Sequence, residues 1–432
     1  MVQGRSLSSI SRRRFLQSSG AAMGAAALGS SFLAACAGTS SGSATNASLP
    51  TLQQWYHQYG ETGTHEAVLR YAKAFTKANV NVSWIAGTGN AYPDKVNASL
   101  LGSNPPDVFE IPSISVAQVK AGQLEPLDDI IASVKSDFLP ADLTPFTVDG
   151  HVYAIKMISD PTFVYYRKSL FQKAGLQVPT TVDELIAAAK KLTSGSMKGI
   201  YLGPDGGESA LYQIAAWAAG GDLLSADNKV VFNTDRVAAA YEKIYELNVS
   251  GGVLPDAPTF WWDPSSFTLG LCAMQWCGLW AMPGITKALG DDFGIFPWPA
   301  LDAQSQPATV NGGWAEAVAA KGKNVAMAKE LVKALWIDGT QTEIDWNVGY
   351  GFHVPPRSSI AAQTTKLQSS PASDAVNYLN KYGHANSPYW DAAMDTELQN
   401  VVSSIVKNGK NARSLLDQAA DKCNTELQQE LG

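Results

Sequence analysis

The run DGHVYAIKMISDPTFVYYRKSLFQKAGL, Asp149 to Leu176, decides the fold of this chain. Asp149-Gly150 marks a turn, since both residue types tolerate left-handed backbone. A short aromatic segment follows and reaches Pro161. Phe163-Val164-Tyr165-Tyr166 has the apolar, β-branched and aromatic composition of a strand, and an amphipathic stretch then runs to Gly175. A strand followed by a helix is the repeating unit of an α/β fold, and Asp160 stands where the strand begins. Carboxylates at strand ends in such folds face the crevice where ligands bind.

Outward from this run the same alternation continues. Thr51 to Tyr56 reads as a strand, His65 to Ala78 as a helix with Val68, Leu69, Ala72 and Phe75 on one face, and Val80 to Ile85 as a second strand. Tyr92 to Leu101 is a second helix, and Asp107 to Ile111 a strand entered through Pro105-Pro106. Alternation of this kind predicts a mainly parallel sheet. Downstream, Thr181-Val182-Asp183-Glu184 is a capping box opening a helix through Lys191. Ile200 to Leu202 is a strand; Thr234 to Asn248 and Val325 to Trp336 are helices; Tyr389 to Gln429 forms two helices joined near Asn408-Gly409. A chain of 432 residues exceeds one ordinary core and implies two domains.

The N-terminus reads as an address label. Arg5, Arg12, Arg13 and Arg14 are unaccompanied by any acid in residues 1–35. Ser11-Arg12-Arg13-Arg14-Phe15-Leu16-Gln17 resembles a twin-arginine export signal, and an Ala/Gly-rich run too polar for a good membrane span follows it. Leu33-Ala34-Ala35-Cys36 matches the lipobox of bacterial lipoproteins, in which cleavage leaves a lipidated Cys36. Residues 36–48 then form a flexible tether, reaching on the order of 20 Å as a random coil. The whole chain carries a net charge of −7, and loss of those arginines leaves the remainder more acidic, which argues against nucleic acid as a partner.

The central run resembles a crossing segment of the extracellular solute-binding proteins of ABC importers, specifically the sugar-binding family that includes the maltodextrin-binding proteins. That family's wording is close to "DGK-YAIP … YYNKDLF-KAGL"; here His151 replaces the lysine, Lys156 the proline, and Arg167-Lys168-Ser169 the Asn-Lys-Asp. Further matches follow in order: Pro106-Asp107-Val108, Gly122 to Leu127, and Ala273-Met274 through Gly278 to Trp280. Phe296-Pro297-Trp298-Pro299 with Asn311-Gly312-Gly313-Trp314 matches a return crossing, and Gly351 to Arg357 a third. The resemblance covers residues 50 to 430. It implies a periplasmic-binding-protein-like α/β fold, two lobes joined by a multi-strand hinge with the ligand cleft between them. The expected N-terminal lobe is 49–157 plus 311–352, and the C-terminal lobe 158–310 plus 353–432.

Carbohydrate chemistry suits these residues. A sugar ring has apolar C–H faces that stack on aromatic planes and hydroxyls that carboxylates and guanidinium groups can bracket. By motif position the resemblance assigns Asp160 as an acidic contact, Trp280 as a stacking ring, Trp314 as the aromatic of the return crossing and Arg357 as a cleft arginine. Glu208, Glu61 and Trp390 are looser matches, with a solvated charge or helix packing as the alternative; Trp262 is singled out as a tryptophan at a predicted loop or strand end, with core packing as its alternative. Zinc chemistry finds no footing, since the five histidines are scattered and Leu69 stands where His65-Glu66 would need its second histidine, whereas Asp160 and Glu208 leave a carboxylate pair for glycan hydrolysis open. Cys272 and Cys277 read as small core residues. The resemblance thus implies a monomeric, non-enzymatic receptor without cofactor or metal, held to the membrane by lipid on Cys36. Its partners are a carbohydrate and the membrane subunits of an ABC permease. The same fold binding a glycerol phosphodiester, and a glycan-active enzyme, are the rival readings.

Overall fold

The computed structural model describes residues 48–87, 91–203, 207–257, 259–409 and 411–431. The expected export signal, Cys36 and the tether up to residue 47 lie outside the described residues. Six strands precede the long strand of the decisive run: β1 (Thr51–His57), β2 (Asn79–Ile85), β3 (Val108–Ile111), β4 (Thr147–Val148), β5 (His151–Val152) and β6 (Ala154–Lys156). The rest follow as β7 (Asp160–Tyr166), β8 (Lys198–Tyr201), β9 (Cys272–Gly278), β10 (Gly294–Phe296), β11 (Thr309–Gly312), β12 (Ala315–Val318) and β13 (Gly383–His384).

The strands build two main sheets. One runs β2-β1-β3-β12-β6 and the other β13-β11-β7-β9-β8, with β10 also on β7. β1 is parallel to β2 and β3, as the alternation predicts, while β12 lies antiparallel to β3 and β6. Each sheet is buried on both faces because successive side chains point to opposite sides. In β3, Val108 joins one core and Phe109 and Ile111 another. In β7, Phe163 and Tyr165 face one core and Val164 the other. Covered faces of this kind mark a sheet sandwiched by helices, and there is one such sandwich in each lobe.

The chain passes between the sheets at Met157 to Ser159, joining β6 to β7, and returns at Gly313-Trp314, joining β11 to β12. The return begins after Gly312, the last residue of β11. Gly313 has φ 116°, and a Cβ there would sit 2.1 Å from the Ile158 carbonyl oxygen, so the two crossings touch only because this residue has no side chain. A third passage lies alongside: Ser159 and Val354 exchange backbone hydrogen bonds of 2.9 and 3.1 Å.

Lys156, where the resembled family has proline, is fully buried at this junction. Its Nζ lies 3.0 Å from Asp142 Oδ1 and donates to Asn311 Oδ1 at 2.8 Å. Asp142 Oδ1 also accepts from Asn311 Nδ2 at 2.7 Å and from Ser159 Oγ at 2.8 Å. Burial lowers the Lys156 ammonium from its ordinary range, and the adjacent Asp142 opposes that shift. Arg167, the other departure, pairs with Asp292 at 2.7 Å.

Local signals are realised with small shifts. The Thr181 hydroxyl caps Glu184 N at 3.3 Å, the Glu184 carboxylate reaches back to Thr181 N, and the helix runs Val182–Leu192. The helix expected from His65 to Ala78 spans Thr64–Ala74, because Phe75 turns extended to feed β2. β9 stops at Gly278, and Trp280 sits in the 3₁₀ turn that follows, Leu279–Ala281. Gly409 at φ 58° closes the helix Ala392–Asn408 before the last one, Ala412–Leu431. Cys272, Cys277 and Cys423 are buried free thiols. Among the described residues no helix is long and apolar enough to cross a membrane.

Candidate functional site

Where the crossings meet the carboxyl end of β1, the chain leaves a cavity of about 520 Å³. The loop His57 to Glu61 forms one wall; Asp160, Trp314 and His353 come from the three crossings; Trp262 and Trp280 close the side of the second sheet. Five of the eight residues singled out from sequence thus line one space: Asp160, Trp280, Trp314, Trp262 and Glu61.

The rings are fixed by buried polar groups behind them. Trp314 stacks on His57 at 4.0 Å between centroids and meets Tyr92 edge-on at 5.8 Å. His57 Nδ1 lies 2.7 Å from Glu110 Oε2, and the Tyr59 hydroxyl donates to Glu110 Oε1 at 2.6 Å. Burial, and then the Glu110 charge, push the Tyr59 phenol well above its ordinary range, so it remains a neutral donor. On the opposite wall, the Trp280 ring lies over Gly278, where an added Cβ would fall 1.9 Å from the ring. Trp280 Nε1 donates to the Trp262 carbonyl at 3.0 Å. Buried Gln275 on β9 holds the same aromatic loop, donating to the carbonyls of Trp261 and Asp263 at 3.1 and 2.9 Å. Trp262 stacks on Phe260 at 4.4 Å with the planes 6° apart.

Besides His57, which is bonded to Glu110, the lining carries two carboxylates and the His353 imidazole. Asp160 Oδ1 lies 2.5 Å from His353 Nδ1, and Glu61 Oε1 lies 3.4 Å from His353 Nε2. Burial would disfavour charge on Glu61, yet the His353 contact holds its carboxyl below the usual carboxylate range. Among the described residues no lysine or arginine lines the cavity. Chemically, the space offers flat aromatic faces and hydrogen-bond acceptors.

Arg357, Glu208 and Trp390 do not line it. Arg357 is buried elsewhere, its Nε 2.8 Å from Glu343 Oε2 and its NH1 donating to the Ile337 carbonyl at 2.8 Å, a structural ion pair in place of the expected cleft contact. Trp390 packs against Tyr212 and Phe232 in the core and donates from Nε1 to Asp395 at 2.8 Å. It edges a separate cavity of about 430 Å³ with Pro93, Ser115 and Asp391. Glu208 precedes the helix Leu211–Ala218, where burial pushes its carboxyl up to about 7 against the opposing charge of Lys407. Sequence reading missed His57, Tyr59 and His353. His57 ends β1 and Tyr59 follows it, the carboxyl end of a strand parallel to its neighbours and a position that could have flagged them; His353 carries no local signal.

Comparison with known proteins gives a consistent answer. A family model described as bacterial extracellular solute-binding protein matches residues 70–375. The diacetylchitobiose binding protein DasA of Streptomyces coelicolor is 28% identical over 319 residues, 70% of this chain and 74% of that protein. The sn-glycerol-3-phosphate-binding periplasmic protein UgpB of Pectobacterium atrosepticum is 22% identical over 414 residues, covering 86% of this chain and 90% of that one. Among solved structures, the GacH receptor of Streptomyces glaucescens, determined unliganded and with acarbose, superposes with a TM-score of 0.73 at 23% identity, over 88% of this chain and 99% of that one. The family model spans well over half of the chain, and the chain belongs to the bacterial extracellular solute-binding proteins.

Proposed function

We propose that this protein is the substrate-capturing receptor of an ABC importer and that its ligand is a carbohydrate, a di- or oligosaccharide. The observation that carries the reading is the lining of the cavity: Trp262, Trp280 and Trp314 with Asp160 and Glu61, and among the described residues no lysine or arginine. Aromatic faces take the C–H faces of sugar rings, and carboxylates accept from hydroxyls. A volume of about 520 Å³ lies within the ordinary range of small-molecule sites. Lobes 49–157 with 311–352, and 158–310 with 353–432, close on the ligand from both sides. Contacts from the two lobes together favour the closed state, which the permease then recognises. The receptor is monomeric, exported by the twin-arginine route and tethered by lipid on Cys36, which keeps it close to the permease.

The similarity to glycerol-3-phosphate-binding proteins favours a second reading, a phosphate-bearing ligand. Such a ligand needs a cationic or helix-terminal cradle, and the lining groups are acidic and aromatic. Glycan hydrolysis needs a carboxylic acid that stays protonated near neutral pH; Glu61 is shifted the other way. The protein is accordingly a receptor and not an enzyme.

Titration with neutral mono-, di- and oligosaccharides and with glycerol phosphodiesters, followed by tryptophan fluorescence, tests this. Saturation by one sugar class alone is the expected result; saturation by a phosphodiester alone would overturn the carbohydrate assignment. The variant Gly278→Ala, although outside the cavity, should weaken sugar binding by roughly tenfold, about 1.4 kcal/mol. Its Cβ displaces the Trp280 ring while the backbone of Gly278, at φ −83°, accepts alanine without strain.

A further inference from the structure

Asp160 and Glu61 reach the cavity from distant parts of the chain, and a single side chain holds both. Asp160 opens β7, and Glu61 follows β1. His353 comes from the third crossing, anchored by its backbone N–H to the Asn347 carbonyl at 2.9 Å. Its ring is buried, with Nδ1 2.5 Å from Asp160 and Nε2 3.4 Å from Glu61. An imidazole can donate from both nitrogens only when doubly protonated. Two carboxylates sharing a cavity repel unless a cation lies between them.

We propose that His353 is the positioning residue of the ligand site: as an imidazolium it donates to both carboxylates and fixes Asp160 and Glu61 as one paired acceptor set for the ligand's hydroxyls. The inference rests on the carbohydrate reading and deepens it, because it makes the ligand the donor. Space at the contact agrees. A Cβ on Gly351 would fall 2.7 Å from His353 Nε2 and 2.9 Å from Glu61 Oε1, so the absence of a side chain at 351 lets the two groups approach. The remaining titratable neighbours are committed elsewhere: Tyr59 donates to Glu110, and His57 is bonded to the same carboxylate. Burial works against charge on the ring, yet Asp160 first and Glu61 after it push the imidazole up to about 10.

Sign and size follow. In the wild-type protein the imidazolium persists throughout the neutral range, so sugar affinity should be flat from about pH 6 to 8.5. His353→Gln keeps one donor and removes the charge. Glu61 then loses the contact that lowers it, takes up a proton at higher pH than in the wild type, and turns one of its two acceptor oxygens into a donor. Affinity in this variant should fall at least tenfold at pH 7.5 and fall further on acidification to pH 6. His353→Lys, which restores the charge, should restore the flat profile.

The experiment combines calorimetric titration of the full chain and these variants, using the neutral sugar that saturates the wild type, with nitrogen NMR of the ligand-free full chain carrying labelled histidine. A His353 ring protonated on both nitrogens at pH 7.5 supports the proposal without any ligand, and a neutral ring at that pH overturns it. Should wild type and His353→Gln match in affinity and pH profile, the positioning role is refuted while the carbohydrate reading stands. If no sugar binds the wild type but the ring is doubly protonated, the carbohydrate reading fails and the paired carboxylates remain. A His353→Gln chain that does not fold leaves the decision to the NMR measurement.

Discussion

Arg357→Ala is expected to lower folding stability by about 3–5 kcal/mol while leaving the sugar affinity of the folded fraction within about twofold. The guanidinium and the Glu343 carboxylate are almost wholly inaccessible, at 6% and 3% side-chain exposure, and lie 2.7 Å apart. Truncating one partner leaves the other buried and uncompensated, which is far costlier than losing a surface pair. Arg357 also caps the Ile337 carbonyl just past the helix Val325–Trp336, so a second buried acceptor is orphaned. Urea and thermal unfolding of the variant measure the loss, and titration at 15 °C measures the affinity. A cleft role would produce the opposite pattern, intact stability with lost binding. That pattern, or a loss below about 1 kcal/mol, would refute the structural assignment. Replacing both partners by apolar residues of similar volume should recover most of the stability.

Trp314→Ala should weaken sugar binding by about 2–3 kcal/mol, roughly 30- to 150-fold. The ring stands at the return crossing with one face on His57 and an edge contact to Tyr92, so it reaches the cavity already oriented. A preoriented aromatic plane contributes more than a mobile one because little side-chain entropy is lost on binding. The same ring is only half-buried, so the stability cost should stay near 1 kcal/mol, well under that of Arg357→Ala. Trp314→Phe, which keeps a flat face, should retain most of the affinity. Isothermal titration of both variants checks the pair of expectations, and an alanine variant within threefold of wild type would exclude Trp314 from the site.

How far the site was legible can be argued from these two residues. Both were assigned to the cleft by motif position. For Trp314 the assignment and the cavity agree, because the residue lies inside the crossing itself and its place follows from the order of strands. Arg357 lies three residues past Val354, which pairs with Ser159, and its side chain turns away to an acid buried on a neighbouring helix. Nothing in the local pattern says which way that side chain points. Trp390 fails for a related reason: its indole packs in the core and its N–H is satisfied by Asp395, a few residues along the same helix start. His353 is the converse case. Its partner Asp160 is 193 residues away in the chain, so no periodicity or cap could announce the contact.

Local physical chemistry, written in the sequence, determined the elements of this protein. Val68 and Ala72 at helical spacing, the Thr181–Glu184 box, the apolar run of β7 and the Asp149-Gly150 turn each act over a few residues. The order of those elements then fixed two α/β lobes and the crossings between them. Tertiary structure alone decided which side chains share the cavity and in what state. Glu61 remains an acceptor because His353 faces it, Trp280 is aimed because Gly278 leaves room, and Arg357 is spent on Glu343. Each of these is a contact of a few ångströms between residues on separate elements, set by how the sheets and helices pack and not by any neighbour in the chain.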